Sequence, residues 1–175
     1  MAYTMHRVFC STPGDLEPER RIFSDAVGEF NETTAIAQGI LFVPLSIVPH
    51  MGNLSVFQEA IAANLRASSF FLQVLHDTWG APPRNFRPIY DLAQRLVTHA
   101  DSGLRGGVAF FKTGGARRIE PEVSALKTSL EVERDWPVFS FSNAGEFTRQ
   151  LRAQLTAWFH DVACSLPESR PATGT

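Results

Sequence analysis

The run Phe70-Phe71-Leu72-Gln73-Val74-Leu75 contains one polar side chain, and Val108-Ala109-Phe110-Phe111 contains none. A strand wetted on one face alternates apolar with polar residues. One without that alternation is covered on both faces, as the central strands of parallel sheets are. Such strands need helices above and below them, and the rest of the chain supplies the pattern. His6 to Ser11, Leu41 to Val48 and Val138 to Phe141 are further β-rich runs. Between them, Leu16, Phe23, Val27 and Phe30 mark one helical face, and Phe57, Ile61 and Leu65 another. Tyr90, Ala93 and Val97 suggest a third helix, Val123, Leu126 and Leu130 a fourth, and Phe147, Leu151, Leu155 and Phe159 a fifth, each spaced as a buried stripe requires.

Strands alternating with helices imply an α/β three-layer sandwich around a five-stranded, mostly parallel sheet. Pro44 lies within the second run, where it cannot donate a ladder hydrogen bond, so that strand belongs at an edge. The flavodoxin-like order 2-1-3-4-5 satisfies both constraints. With 175 residues, 44% of them hydrophobic, the chain is expected to form one domain over residues 1–162. From 163 to 175 Ser, Pro, Thr and Gly take over, which reads as a flexible tail. A formal charge of -2 gives no global field for nucleic acid or an anionic membrane. Cys10 and Cys164 lack metal-ligand spacing and suggest no disulfide framework. No run approaches the roughly 18 apolar residues of a membrane span, and the N-terminus does not resemble a signal peptide. The expectation is a cytoplasmic protein.

In an open parallel sheet, ligands bind beyond the carboxyl ends of the strands, where the strand order reverses. The loops there begin at Ser11, His50, His76 and Lys112. They offer Ser11, Thr12, Asp15 and Arg20 after the first strand, His50 after the second, His76 and Trp79 after the third, and Lys112 after the fourth. Each has two readings. Thr12, Pro13 and Asp15 read as N-cap, N1 and N3 of the first helix, or as part of an anion or sugar site. Arg20 can bridge to Asp15 or stay solvated, Trp79 can pack or stack on a planar ring, and the histidines can be plain loop residues. Gly114-Gly115 before Arg117 and Arg118 reads as a phosphate nest or a mobile turn.

The segment Val8-Phe9-Cys10-Ser11-Thr12-Pro13-Gly14-Asp15-Leu16-Glu17-Pro18-Glu19-Arg20, with Asn31 following, resembles the TIR-like family of unknown function found at the front of bacterial defence and animal signalling NTPases. The similarity extends through Ile61 to Leu75 and Trp79-Gly80 to the final helix, strand and helix. It implies a fold like that of TIR domains and nucleoside deoxyribosyltransferases, with NAD(P) or another nucleotide as substrate or ligand and no required cofactor. In active relatives a glutamate on the helix after the third strand supports an oxocarbenium-like transition state. The matching helix here, Phe86 to Val97, has no glutamate, so Asp91 takes that position, with Glu59 on the preceding helix as the remote substitute.

The leading expectation is a TIR-like signalling or defence module that recognises a nucleotide-like small molecule, self-associates, or does both, with NAD(P) glycohydrolase activity as one output. The alternatives are a non-catalytic domain that assembles with partner signalling proteins and, further off, a nucleoside deoxyribosyltransferase-like enzyme. The last lacks its expected Asp-x-Gly-Thr-x-x-Glu run. No metal is implied.

Overall fold

The computed structural model of the protein describes residues 3–46, 54–80, 85–115 and 118–165. Five strands, β1 (Thr4–Ser11), β2 (Ile40–Ser46), β3 (Phe70–Leu75), β4 (Gly106–Lys112) and β5 (Val138–Phe141), form one sheet in the order β2-β1-β3-β4-β5. Every adjacent pair is parallel. The helices are α1 (Glu17–Phe30), α2 (Leu54–Arg66), α3 (Arg87–Thr98), α4 (Pro121–Glu133) and α5 (Ala144–Ala163). This is the flavodoxin-like α/β fold.

All six residues of β3 are buried, as are five of the seven in β4, consistent with their apolar runs. Alternation along the strands divides the core in two. Val8, Cys10, Leu72, Val74 and Phe110 pack with α1 and α5, through Phe23, Val27, Phe147, Leu151 and Leu155. Phe9, Phe71, Leu75 and Phe111 face α2, α3 and α4, where Trp79, Tyr90 and Trp136 join them. Tyr90 bridges the two indoles, its ring centroid 5.5 Å from Trp79 and 5.3 Å from Trp136. Gly107 on β4 is a close approach: a Cβ there would come within 2.7 Å of the Trp136 ring.

The edge position expected for β2 is observed, with Pro44 opposite Val8. A five-residue π-helical turn (Asn31–Ala35) ends α1, and Asn31 at its start turns its side chain to the backbone of Phe42. Its Nδ2 donates to the Phe42 carbonyl at 2.7 Å and its Oδ1 accepts from the Phe42 N–H at 2.9 Å. Phe42 therefore directs its backbone away from β1, and Pro44, two residues on, has its missing N–H on the same outer side. On β5, Gln150 of α5 donates from Nε2 to the Ser140 carbonyl at 2.9 Å.

Strands β1 and β4 each start two residues earlier than expected, and two helix boundaries differ as well. The helix expected to start with Thr12 as N-cap begins only at Glu17, because Leu16 N–H closes a turn onto the Pro13 carbonyl at 3.1 Å. Leu16 occupies the N-cap position without a side-chain cap, Pro18 stands in the first turn, and Glu17 and Glu19 face the positive end of the helix dipole. At the other end, α5 continues to Ala163 because Val162 is still buried, one residue into the expected tail. The remainder past 165 lies outside the described residues.

Candidate functional site

The crossover helix α1 packs on one face of the sheet and α3 on the other, so the chain leaves β1 and β3 toward opposite sides. The order reverses between these two strands, and the last residues they share are Ser11 and Gln73. By alternation both side chains point to the α2–α4 face. Gln73 is fully buried, and its Nε2 donates to the Ser11 carbonyl at 3.1 Å and the Val74 carbonyl at 3.2 Å. Its Oε1, the Ser11 Oγ and the Thr12 Oγ1 are buried with no hydrogen-bond partner among the described residues. Such orphans cost about 1–3 kcal/mol each, and three fall on adjoining residues at this strand edge, besides others such as Glu19 Oε2, Trp79 Nε1 and the Tyr90 hydroxyl.

Lys112, at the end of β4, alternates to the opposite face. There its Nζ meets Oε1 of Glu19 on α1 at 2.8 Å. Glu19 is buried and Lys112 about one third exposed, so the pair joins the β4 terminus to the first turn of α1. Arg20 pairs with Glu17 one turn back, not with Asp15 as the sequence suggested. Cys10, beneath these residues, is fully buried; burial pushes its thiol far above the ordinary range, with Arg20 opposing weakly, so it is not a thiolate nucleophile.

Above the strand ends, the loops after β1 and β3 meet. Asp15, His76 and Asp77 each bring a ligand-type atom within 4.8 Å of the others. The third loop is held from below by Glu120, which precedes α4. Its Oε1 accepts from Thr78 Oγ1 at 2.8 Å and its Oε2 from the Trp79 N–H at 3.1 Å, while its own N–H donates to the Asp77 carbonyl at 2.7 Å. Gly80 then turns the chain with φ +96°.

Of the residues expected to form a site, Ser11, Thr12, Asp15 and His76 therefore gather at the switch point, and Lys112 stands beyond it in its pair with Glu19. His50 lies outside the described residues. Trp79 does not offer its ring to a ligand: it is 1% exposed, packed on Tyr90 with the Arg87 guanidinium 5.2 Å from its centroid, so packing takes the surface that stacking would need. Asp91 on α3 is half-buried and held by Arg87 Nε at 2.8 Å. Glu59 is exposed on α2. Neither joins the group of Asp15, His76 and Asp77. Gln73, Asp77, Glu19 and Glu120 were not singled out as site residues. Gln73 had a visible signal, as the one polar residue in an apolar strand, and Asp77 adjoins His76. Glu120 had none, because its partners lie some forty residues away.

No protein-family model and no curated protein sequence matches the chain. Among solved structures, the apo form of translation elongation factor SelB from Methanococcus maripaludis is similar, with a TM-score of 0.49 at 10% identity over 92% of this chain. The chain spans 36% of that structure's length, and the likeness bears on neither ligand nor activity.

Proposed function

We propose that this chain is a TIR-like signalling or defence module that takes a nucleotide-like ligand at the switch point between β1 and β3. The observation that carries the reading is the set of buried, unpartnered polar atoms of Ser11, Thr12 and Gln73. Two hydroxyls and an amide oxygen suit the alternating donors and acceptors of a ribose or a base edge. These atoms are out of contact with water, so a ligand that pairs with them has to move neighbouring chain. The 12–16 and 76–80 loops are segments at this edge without ladder bonds. Recognition without turnover is the favoured form, because Asp91 is already committed to Arg87 and Glu59 stands on the outside of α2.

The test is calorimetric titration of the protein with NAD, NADP, ADP-ribose and ATP, together with mass detection of nicotinamide release. Saturable binding that Ser11→Ala and Thr12→Val weaken supports the reading, and binding of none of the four overturns it. Nicotinamide release that Asp91→Asn or Glu59→Gln abolishes establishes glycohydrolase activity and names its carboxylate.

A further inference from the structure

We infer that Asp15, His76 and Asp77 form a site for a divalent first-row transition ion of the zinc or manganese kind. The His76 ring is held from its far side. Its Nε2 lies 2.8 Å from the Gly114 carbonyl, which can only accept, so Nε2 carries a proton, and in the neutral ring Nδ1 keeps its lone pair. Nδ1 faces Oδ1 of Asp77 at 4.0 Å. Two lone-pair atoms turned toward each other at that distance do not bond. It is longer by about 0.6 Å than the ~3.4 Å between two ligand atoms of a tetrahedral zinc with bonds of ~2.0–2.2 Å, a gap that small side-chain rotations close. An ion between them is bound by both, and Asp15, from the other loop, is near enough to supply a third atom.

Asp77 supplies an independent reason. It is 8% exposed, and its carboxylate accepts no hydrogen bond among the described residues. A mostly buried carboxylate with little solvent and no close donor is costly, and a bound cation lowers that cost. Its main chain is pinned by the Glu120 N–H, which fixes the point from which the carboxylate projects. The histidine is braced in the way metal-bound imidazoles are, by its far nitrogen donating to a backbone carbonyl. Gly114 and Gly115 present that carbonyl with φ of +90° and +88°, and a Cβ at Gly115 would stand 3.5 Å from His76 Cε1. One nitrogen and two carboxylate oxygens suit zinc or manganese, and they leave coordination positions for water or an anionic group. This inference stands apart from the nucleotide reading and survives its failure.

The experiment uses the full chain stripped with a chelator and titrated with Zn²⁺ by calorimetry and with Co²⁺ by visible absorption. One equivalent is expected to bind and to raise Tm. His76→Ala and Asp77→Asn should each weaken binding at least tenfold, the scale of losing one of three ligands. Asp15 is exposed and outside any helix cap, so Asp15→Asn is a third variant whose fold is not at risk. His160→Ala should leave binding unchanged. Absence of saturable binding overturns the proposal, as does binding that survives all three substitutions. If Asp77→Asn changes stability equally with and without metal, the pair is only a weak His76–Asp77 contact and the proposal fails.

Discussion

Lys112 at the end of β4 and Glu19 in the first turn of α1 are joined at 2.8 Å across the edge of the sheet, with the carboxylate buried and the ammonium at its border. Removing the cation strands a charge. Lys112→Met is expected to lower stability by about 2–4 kcal/mol, whereas the double variant with Glu19→Gln should recover much of the loss. Denaturant midpoints of the two singles and the double measure the coupling, and additive losses would show that the pair contributes nothing of its own.

Ser11 and Thr12 set function against stability. Thr12→Val keeps the shape and removes a buried hydroxyl that has no partner, so the unliganded protein should gain about 0.5–1 kcal/mol. Affinity for any nucleotide that binds should fall about tenfold, the scale of one lost hydrogen bond to a buried group. Thermal melts and titration on the same preparation check both signs. Lower stability together with unchanged affinity would assign the hydroxyl to packing.

Gly107 leaves no room for a side chain. Gly107→Ala drives a methyl into the Trp136 indole, which packs against Tyr90 and Phe71, and should cost about 1–3 kcal/mol. Gly28→Ala, with open space at its Cβ inside α1, should instead stabilise by up to about 1 kcal/mol. The pair of midpoints compares packing with propensity in one fold.

Two helix starts should answer differently. Asn143 caps α5, its Oδ1 accepting from the Glu146 N–H at 3.0 Å while Glu146 Oε2 accepts from Ser142 N–H and Oγ. Asn143→Ala should cost about 1 kcal/mol. Asp15→Ala should leave the metal-free protein within about 0.5 kcal/mol of the parent, because no helix begins on it. The Ser142 bonds hold the Glu146 carboxyl below its ordinary range, so its contribution is present above the unfolded value and is lost as pH falls through the folded one. A Glu146→Gln variant should show a shallower acid slope.

His6 gives stability a second pH dependence. Burial, with the Arg105 charge second, holds its imidazole below the ordinary 6.5. The unfolded chain takes up the proton near that value and the folded chain only at lower pH. Stability should therefore be unaffected above it and fall as pH drops from there toward the folded value. Chemical denaturation from pH 8 to pH 5 on the parent and His6→Gln isolates the effect, since every other histidine is common to both; identical slopes would count against it.

The layers, strand order and central strands were legible because burial on two faces leaves a local mark, as in Phe70 to Leu75, and because Pro44 excludes a central position. The switch point followed from that order, and with it Ser11, Thr12, Asp15 and His76. What failed was local logic applied where distant partners decide. Thr12 and Asp15 have the residues of a helix start, yet the turn onto Pro13 delays the helix to Glu17. Trp79 has the look of a stacking residue, yet Tyr90 and Arg87 take both its neighbourhood and its ring. Glu120 organises the third loop from a place no spacing rule connects to it.

Asn31 and Gln150 have a consequence for growth. Each lays a side-chain amide against the outward backbone of a border strand, Asn31 at Phe42 and Gln150 at Ser140. A primary amide offers the same donor and acceptor as a peptide group, so Asn31, which uses both, stands in for one residue of a neighbouring strand, while Gln150 occupies the Ser140 carbonyl alone. An incoming chain that would lengthen the sheet finds those places taken, on the left by the end of α1 and on the right by α5. Strand addition at either border therefore has to displace a side-chain amide first, which favours assembly of copies through helices or loops.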